Sequence, residues 1–183
     1  MRIISGIRRG HKLYEFCGQD VRPTTDRVKE SVFNLIQGYV SSARVLDMFA
    51  GSGALSFEAL SRGAEYAVLI DNDKRSIDII KKNITELKFE DICRTYEMSC
   101  FDYVKSCTEK FDIIFLDPPY NKGLIEPALT AISENKLLSD TGIVMLESDN
   151  TDFKSDFFGL EMIKQRRYGR TYITIYKSAK DGE

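Results

Sequence analysis

The run Phe111-Asp112-Ile113-Ile114-Phe115-Leu116-Asp117-Pro118-Pro119-Tyr120 constrains what this chain can fold into more than any other stretch. A short apolar segment rich in Ile and Phe and stopped by proline is the pattern of a parallel strand buried on both faces. Proline lacks an N–H and fixes φ, so the pair ends the sheet ladder and sets the chain just past it. A carboxylate, a rigid turn and an aromatic ring are then held at the C-terminal edge of a sheet. Open α/β sheets bind their ligands at that edge.

Strands and helices alternate around this segment. Val45–Phe49 reads as a strand, Ala50-Gly51-Ser52-Gly53 as a turn and residues 54–62 as a helix. Ala67–Asp71 is a second strand, and Lys74–Leu87 a helix with Ile77, Ile80 and Ile84 on one face. A weak strand over 92–97, a helix over 101–107, the Asp-Pro-Pro-Tyr strand, a helix over 124–134 and a strand over Ile143–Glu147 follow. Two last strands, 159–165 and 171–177, joined by Tyr168-Gly169-Arg170, read as an antiparallel hairpin. Ahead of all this, residues 2–16 alternate loosely around Gly6-Ile7-Arg8-Arg9-Gly10, the pattern of a hairpin with a basic tip. A loop, Arg22-Pro23-Thr24-Thr25-Asp26-Arg27, leads into a helix whose stripe is Val28, Val32, Leu35, Ile36 and Tyr39. Such alternation implies α/β architecture with a mostly parallel, doubly wound sheet. At 183 residues it fits one domain, with residues 1–21 as an N-terminal extension and 22–183 as the core.

The first strand-to-helix turn carries Asp47-Met48-Phe49-Ala50-Gly51-Ser52-Gly53. Glycines there let the backbone approach a ligand at a helix N-terminus. An acid that ends the second strand about 20 residues on can hydrogen-bond a ribose, and Asp71 has that position. The third glycine of the dinucleotide fingerprint is replaced by Ser56, which favours a nucleoside without a pyrophosphate. Asp47 would repel a diphosphate but attract the sulfonium and ammonium of S-adenosylmethionine. The candidate cofactor set is Asp47, Phe49, Gly51, Gly53, Asp71, Asn72, Ser99 and Cys100.

Asp117-Pro118-Pro119-Tyr120 resembles the signature of methyltransferases that act on planar nitrogens. The lone pair of a nucleobase amine is delocalised into the ring. Two acceptors, the Asp117 carboxylate and the Pro118 carbonyl, can hold both amino hydrogens out of plane and free that lone pair for attack. Tyr120 can stack on the base, a contact worth roughly 1–3 kcal/mol. Asp117, Pro118, Pro119 and Tyr120 are therefore the candidate catalytic residues.

Charge distribution bears on the partner. Net charge is −2, yet Arg2, Arg8, Arg9 and Lys12 lie together without an acid, as do Lys164, Arg166, Arg167, Arg170, Lys177 and Lys180. Basic ends on an acidic body are compatible with a local nucleic-acid footprint. Its candidate residues are Arg8, Arg9, Lys12, Arg22, Arg27, Arg166, Arg167 and Arg170. Cys17, Cys93, Cys100 and Cys107 include no C-x-x-C pair and His11 is the lone histidine, so no metal site is expected. Free thiols with no leader or membrane-length apolar run fit a cytoplasmic protein.

These motifs together are similar to the RsmD family, which methylates the N2 amine of a guanine in small-subunit (16S) ribosomal RNA. The resemblance rests on Arg2-Ile3-Ile4-Ser5-Gly6, Arg22 through Glu30, Asp47 through Gly53, Glu58 through Ala64, Asp117 through Tyr120 and Tyr168 through Thr171. It implies a Rossmann-like class I methyltransferase with seven strands, the last antiparallel, and an N-terminal hairpin that meets RNA. It also implies S-adenosylmethionine as cofactor. One departure stands at Met98-Ser99-Cys100, where such enzymes place an Asp or Asn near adenine; Ser99 or Asp102 is the alternative here. A monomer acting on a partly assembled ribosomal particle is expected. Two other readings share these residues: a DNA adenine-N6 or cytosine-N4 methyltransferase, and a non-catalytic RNA-binding module on the same fold. The first lacks an obvious target-recognition insertion, and an intact Asp-Pro-Pro-Tyr argues against the second.

Overall fold

Successive residues of a strand face opposite sides of its sheet, and here the two sides are buried by different helices. The computed structural model describes residues 1–16, 26–119, 122–149, 156–157 and 159–179. In chain order the elements are α1 (Asp26–Leu35), α2 (Gln37–Val40), β1 (Arg44–Asp47), α3 (Ala54–Ser61), β2 (Tyr66–Asp71) and α4 (Lys74–Leu87). Then come β3 (Cys93–Glu97), α5 (Cys100–Ser106), β4 (Phe111–Leu116), α6 (Ile125–Glu134), β5 (Leu138–Ser148), β6 (Asp156–Phe157), β7 (Leu160–Tyr168) and β8 (Thr171–Ser178).

The sheet order is β3-β2-β1-β4-β5-β8-β7-β6. The first five strands pair in parallel and β8 runs antiparallel between β5 and β7. The seven-stranded sheet expected from sequence is present, with the last strand reversed; β6 adds two residues at its edge. Ile113 and Phe115 join the core beneath α1, α3 and α4, while Ile114 and Leu116 join the core beneath α5 and α6.

Three expectations are corrected. The helix expected to run from Val28 to Tyr39 breaks at Ile36, and Gly38, a weak helix former, lies in the short piece that follows. β5 starts at Leu138, five residues before the apolar run, because its polar first half pairs with β4 only across an irregularity at Phe111/Ile113. The N-terminal hairpin is not formed as two strands. Residues 1–13 close through one isolated antiparallel bridge, Arg2 to Lys12, supported by Ile3 N–H to His11 O and Leu13 N–H to Met1 O.

What holds this extension is side-chain chemistry from the core. Glu58 of α3 is fully buried and accepts hydrogen bonds from the N–H groups of Ile4 (2.8 Å) and Ser5 (3.0 Å). It also pairs with buried Lys29 of α1 (3.2 Å) and with Arg62 (2.7 Å). Lys29 donates to the carbonyl of Arg2 at 2.5 Å. Burial lowers the Lys29 pKa, and Glu58 opposes that shift. Gly6 fits so closely over the Ser61 carbonyl that a Cβ would lie 1.7 Å from it, and its φ is +84°. Fully buried Asn83 of α4 bonds both backbone groups of Tyr14 and also donates to the carbonyl of Ser52 at 3.1 Å. The extension is thus tied directly to the glycine turn.

Removing one partner of a buried ion pair leaves an uncompensated charge and typically costs about 3–5 kcal/mol. Glu58→Ala is expected to lower unfolding free energy by that amount in a urea titration. A loss below about 1 kcal/mol would mean that the extension is held by other contacts.

Candidate active site

Parallel register brings four acids to one edge of the sheet. Asp47 of β1 pairs with Phe115 of β4, and Phe115 with Met145 of β5. Leu116 pairs with Leu146, so Asp117 and Glu147 follow side by side. Leu46, Ile70, Leu116 and Leu146 all belong to the core beneath α5 and α6. By alternation the acids that follow them, Asp47, Asp71, Asp117 and Glu147, turn to the opposite face, towards α1 and α3. Asp47 and Glu147 are buried, whereas Asp71 and Asp117 are half-buried. Pro118 is buried and Pro119 exposed. Tyr120 lies outside the described residues.

The glycine turn is pinned to this edge by backbone and carboxylate bonds. Met48 N–H reaches Phe115 O (3.2 Å), Ala50 N–H reaches Ile70 O (3.0 Å) and Gly53 N–H closes on Ala50 O (2.7 Å). Asp71 accepts from Gly51 N–H at 2.9 Å through one oxygen and from Asp73 N–H at 2.8 Å through the other. Each carboxylate oxygen has a second lone pair, so Asp71 can still accept from a ligand hydroxyl. Gly53 precedes α3 with φ of +80°, and a Cβ there would lie 2.4 Å from the Phe57 ring. Only glycine fits that position.

Asp47 shows why the third glycine of the dinucleotide pattern became Ser56. The Ser56 hydroxyl donates to Asp47 Oδ2 at 2.9 Å. Asp47 Oδ1 is buried and makes no well-formed hydrogen bond among the described residues. Burial pushes the Asp47 carboxyl up to about 7, opposed by Ser56 and the Phe49 N–H and reinforced by Asp71. A buried carboxylate oxygen without a well-formed hydrogen bond, beside a glycine turn, fits a cationic ligand that brings its own N–H groups. Asp117 is raised well above the usual carboxylate range, first by burial and then by the charges of Glu147 and Asp47.

The other sequence candidates divide. Phe49 is half-buried against the core and Asn72 is exposed beyond Asp71. Ser99 caps α5, its hydroxyl oxygen accepting from Phe101 N–H at 3.2 Å. Cys100 is buried, with its thiol pushed up to about 11 by burial. Cys107 is half-buried.

Arg8, a candidate for RNA contact, is an anchor in this structure. Its Nε donates to Leu87 O at 2.6 Å and its guanidinium lies 5.7 Å from the Phe89 ring centre. Arg9, Lys12 and Arg27 are exposed; Arg22 lies outside the described residues. Arg166 and Arg170 are exposed at the β7–β8 turn, and Arg167 there donates to Gly169 O at 2.8 Å and lies 5.6 Å from the Tyr172 ring centre. Tyr172 pairs with both Arg167 and Ser148, so this basic turn sits at the same sheet edge as Glu147. No helix among the described residues is long and apolar enough to cross a membrane.

Strand order, the glycine turn after β1, the acid ending β2 and Asp-Pro-Pro after β4 together define the Rossmann-like methyltransferase fold. Residues 1–177 match the family model described as Conserved hypothetical protein 95. Ribosomal RNA small subunit methyltransferase D of Haemophilus influenzae is 38% identical, with 97% of this chain and 94% of the relative covered. The protein of the same name from Escherichia coli is 38% identical over 81% of this chain and 75% of its own length. A solved Escherichia coli structure, yhhF, named as a candidate methyltransferase, superposes with a TM-score of 0.88 at 33% identity, covering 98% of each chain. The chain belongs to the family of the RsmD ribosomal RNA methyltransferases.

A carboxylate whose folded pKa is raised binds its proton more tightly folded than unfolded. Its contribution to stability therefore falls as pH rises from the unfolded value through the folded one. Between pH 4 and 7 the wild type should lose stability relative to Asp47→Asn, by about 4 kcal/mol at most if the whole shift is expressed. Urea titrations at several pH values measure the difference. A gap independent of pH would show that Asp47 is not a buried, strained acid.

Proposed function

We propose that the protein transfers a methyl group from S-adenosylmethionine to the N2 amine of a guanine in small-subunit ribosomal RNA. The observation that carries this reading is the placement of Asp117-Pro118-Pro119 one strand from the glycine turn, at a single sheet edge. The names of the Haemophilus and Escherichia relatives support the RNA substrate. When bound, S-adenosylmethionine supplies an electrophilic methyl group on a sulfonium.

The chain's own residues bind and orient. Gly51, where a Cβ would point into open space, keeps side-chain bulk away from the cofactor's path, Gly53 lets the turn close over Phe57 beside it, and the free lone pairs of Asp71 take the ribose hydroxyls. Asp47 Oδ1 takes the ammonium of the amino acid tail, with Phe49 beside it. Asn72, Ser99 and Cys100 border the base of the cofactor, where the Ser99 hydroxyl, used as a cap acceptor, remains a donor. The Asp117 carboxylate and the Pro118 carbonyl accept from the two hydrogens of the target amine, and Tyr120 stacks on the guanine. Ionised Asp117 strengthens its bond as the nitrogen gains positive charge, so its effect falls on the transition state.

Residues 1–21 form an RNA-facing extension on the single catalytic domain 22–183. Arg9, Lys12 and Arg27, with Arg22, Arg166 and Arg170, meet phosphates, and Arg8 and Arg167 add only the guanidinium nitrogens their internal bonds leave over. The acidic body between the basic ends favours a partly protein-covered ribosomal particle over bare RNA, met in the cytoplasm by a monomer.

A single preorganised polar contact of this kind is typically worth about 10²–10³ in rate. Asp117→Ala is expected to slow single-turnover transfer to small-subunit RNA by at least that factor, with cofactor affinity nearly unchanged. Asp117→Asn should fall between, since its carbonyl accepts one bond without the charge. Transfer by Asp117→Ala near the wild-type rate would remove Asp117 from the catalytic site.

A further inference from the structure

Asn83, on the buried side of α4, joins the N-terminal extension to the glycine turn. Its side chain is fully buried. Oδ1 accepts from Tyr14 N–H at 2.7 Å. A carboxamide nitrogen has two hydrogens to donate, and its partners here are Tyr14 O and Ser52 O, each at 3.1 Å. Ser52 stands between Gly51, whose N–H is held by Asp71, and Gly53, which opens α3. α3 in turn carries the extension: Glu58 takes the N–H groups of Ile4 and Ser5, and Ser61 takes those of Ile7 and Arg8. Ring contacts run the same way. The Arg8 guanidinium lies over Phe89, Phe89 stacks on Phe57 with centres 6.5 Å apart, and Phe57 packs beside Gly53.

We propose that Asn83 is a positioning residue that makes methyl donor and RNA bind cooperatively, each ligand ordering the segment that the other uses. The inference rests on the methyl-transfer reading above and adds to it the side chain that couples the two binding surfaces.

The cost of unpaired buried groups favours a joint arrangement. If the extension lifts, the Asn83 amide loses both of its bonds to Tyr14; if the turn shifts, it loses its bond to Ser52. A buried polar group left without its partner is expensive, so the three backbone groups and the amide hold or open together. The extension closes its own ladder with one bridge, Arg2 to Lys12, and so depends on these bonds from the core. A donor seated against Gly51 and Asp71 fixes the turn, through it Asn83, and through Asn83 the backbone at Tyr14. RNA held by the extension acts along the same bonds in reverse. Ordering a shared segment once lowers the ordering cost left to the second ligand, and linkage makes the two effects on affinity equal.

S-adenosylhomocysteine, which has no methyl group to transfer, probes the donor site, and small-subunit particles from cells lacking the gene probe the RNA surface. In equilibrium dialysis the wild type should bind S-adenosylhomocysteine about fivefold or more tightly with saturating particles than without them. In Asn83→Ala that ratio should fall below about twofold, although each ligand still binds alone. A substitution that only loosens the fold weakens both affinities and leaves the ratio in place. Equal affinity with and without particles in the wild type, or the full ratio kept in Asn83→Ala, would overturn the proposal. Hydrogen exchange in the wild type covers the case in which Asn83→Ala does not fold. S-adenosylhomocysteine without particles should slow exchange of the Tyr14 amide, while the hydrogen-bonded Ala179 amide at the far end of β8 keeps its rate. Unchanged exchange at Tyr14 would overturn the coupling. Methyl transfer to guanine without coupling would overturn this inference and leave the reaction standing. Coupling in a protein that transfers no methyl group would support the inference and overturn the reaction, and a protein that does not bind S-adenosylhomocysteine would overturn both.

Discussion

Parallel strand register is the constraint on which the candidate site depends. A parallel ladder fixes which residues sit abreast, and the twofold alternation of strand side chains fixes which face they share. Four strands carry an apolar residue followed by an acid here, and pairing sets Asp71, Asp117 and Glu147 level with Asp47 two residues behind them. A slip of one residue at β4 would turn Asp117 into the core beneath α5 and α6. The same slip would carry Phe115 out of the core beneath α1, α3 and α4, where it packs against Phe33, and onto the opposite face. Because hydrophobic burial dominates the free energy of folding, the core that forces the register also gathers the acids. Concentrating like charges at one edge opposes that gain, as the raised Asp47 and Asp117 carboxyls record. A cationic ligand with N–H donors relieves the opposition, so binding and electrostatics point to the same chemistry.

The N-terminal extension is organised by a second device. Its own ladder consists of one bridge and a few backbone bonds, too little to hold thirteen residues in place alone. Glu58, Lys29 and Asn83 supply the partners for its backbone from inside the core. Asn83 also bonds Ser52 within the glycine turn. The segment proposed to face RNA and the turn proposed to face the cofactor therefore share one buried side chain. A displacement of either is felt by the other without a long chain of contacts between them.

Much of this was legible in the sequence because it was written in periodicity and punctuation. The β4 strand, its proline stop, the glycine turn and the acid ending β2 follow from apolar run length, proline and glycine. Elements whose sequence lacks apolar contrast were harder. The first half of β5, Leu138 to Gly142, is polar and turn-like, and β6 is two residues long. Ser56 could be seen only as a missing glycine, since its bond to Asp47 spans nine residues. Glu58 was a readable signal: a lone acid amid Phe57, Ala59 and Leu60 has to be buried with a partner. Glu147 repeats the apolar-then-acid pattern of Asp47, Asp71 and Asp117, but its place beside Asp117 depends on strand order. Arg8 illustrates the opposite limit, since composition cannot separate an arginine that anchors the fold from one that meets phosphate.

Methylation of one guanine amine in ribosomal RNA is the central claim, and the RNA itself records it. Nucleoside analysis of small-subunit RNA from cells lacking the gene tests it most directly. The account requires N2-methylguanosine to fall on deletion, to return with the wild-type gene and to stay low with an Asp117→Ala copy. Unchanged N2-methylguanosine in the deletion, or full recovery with the Asp117→Ala copy, would contradict it.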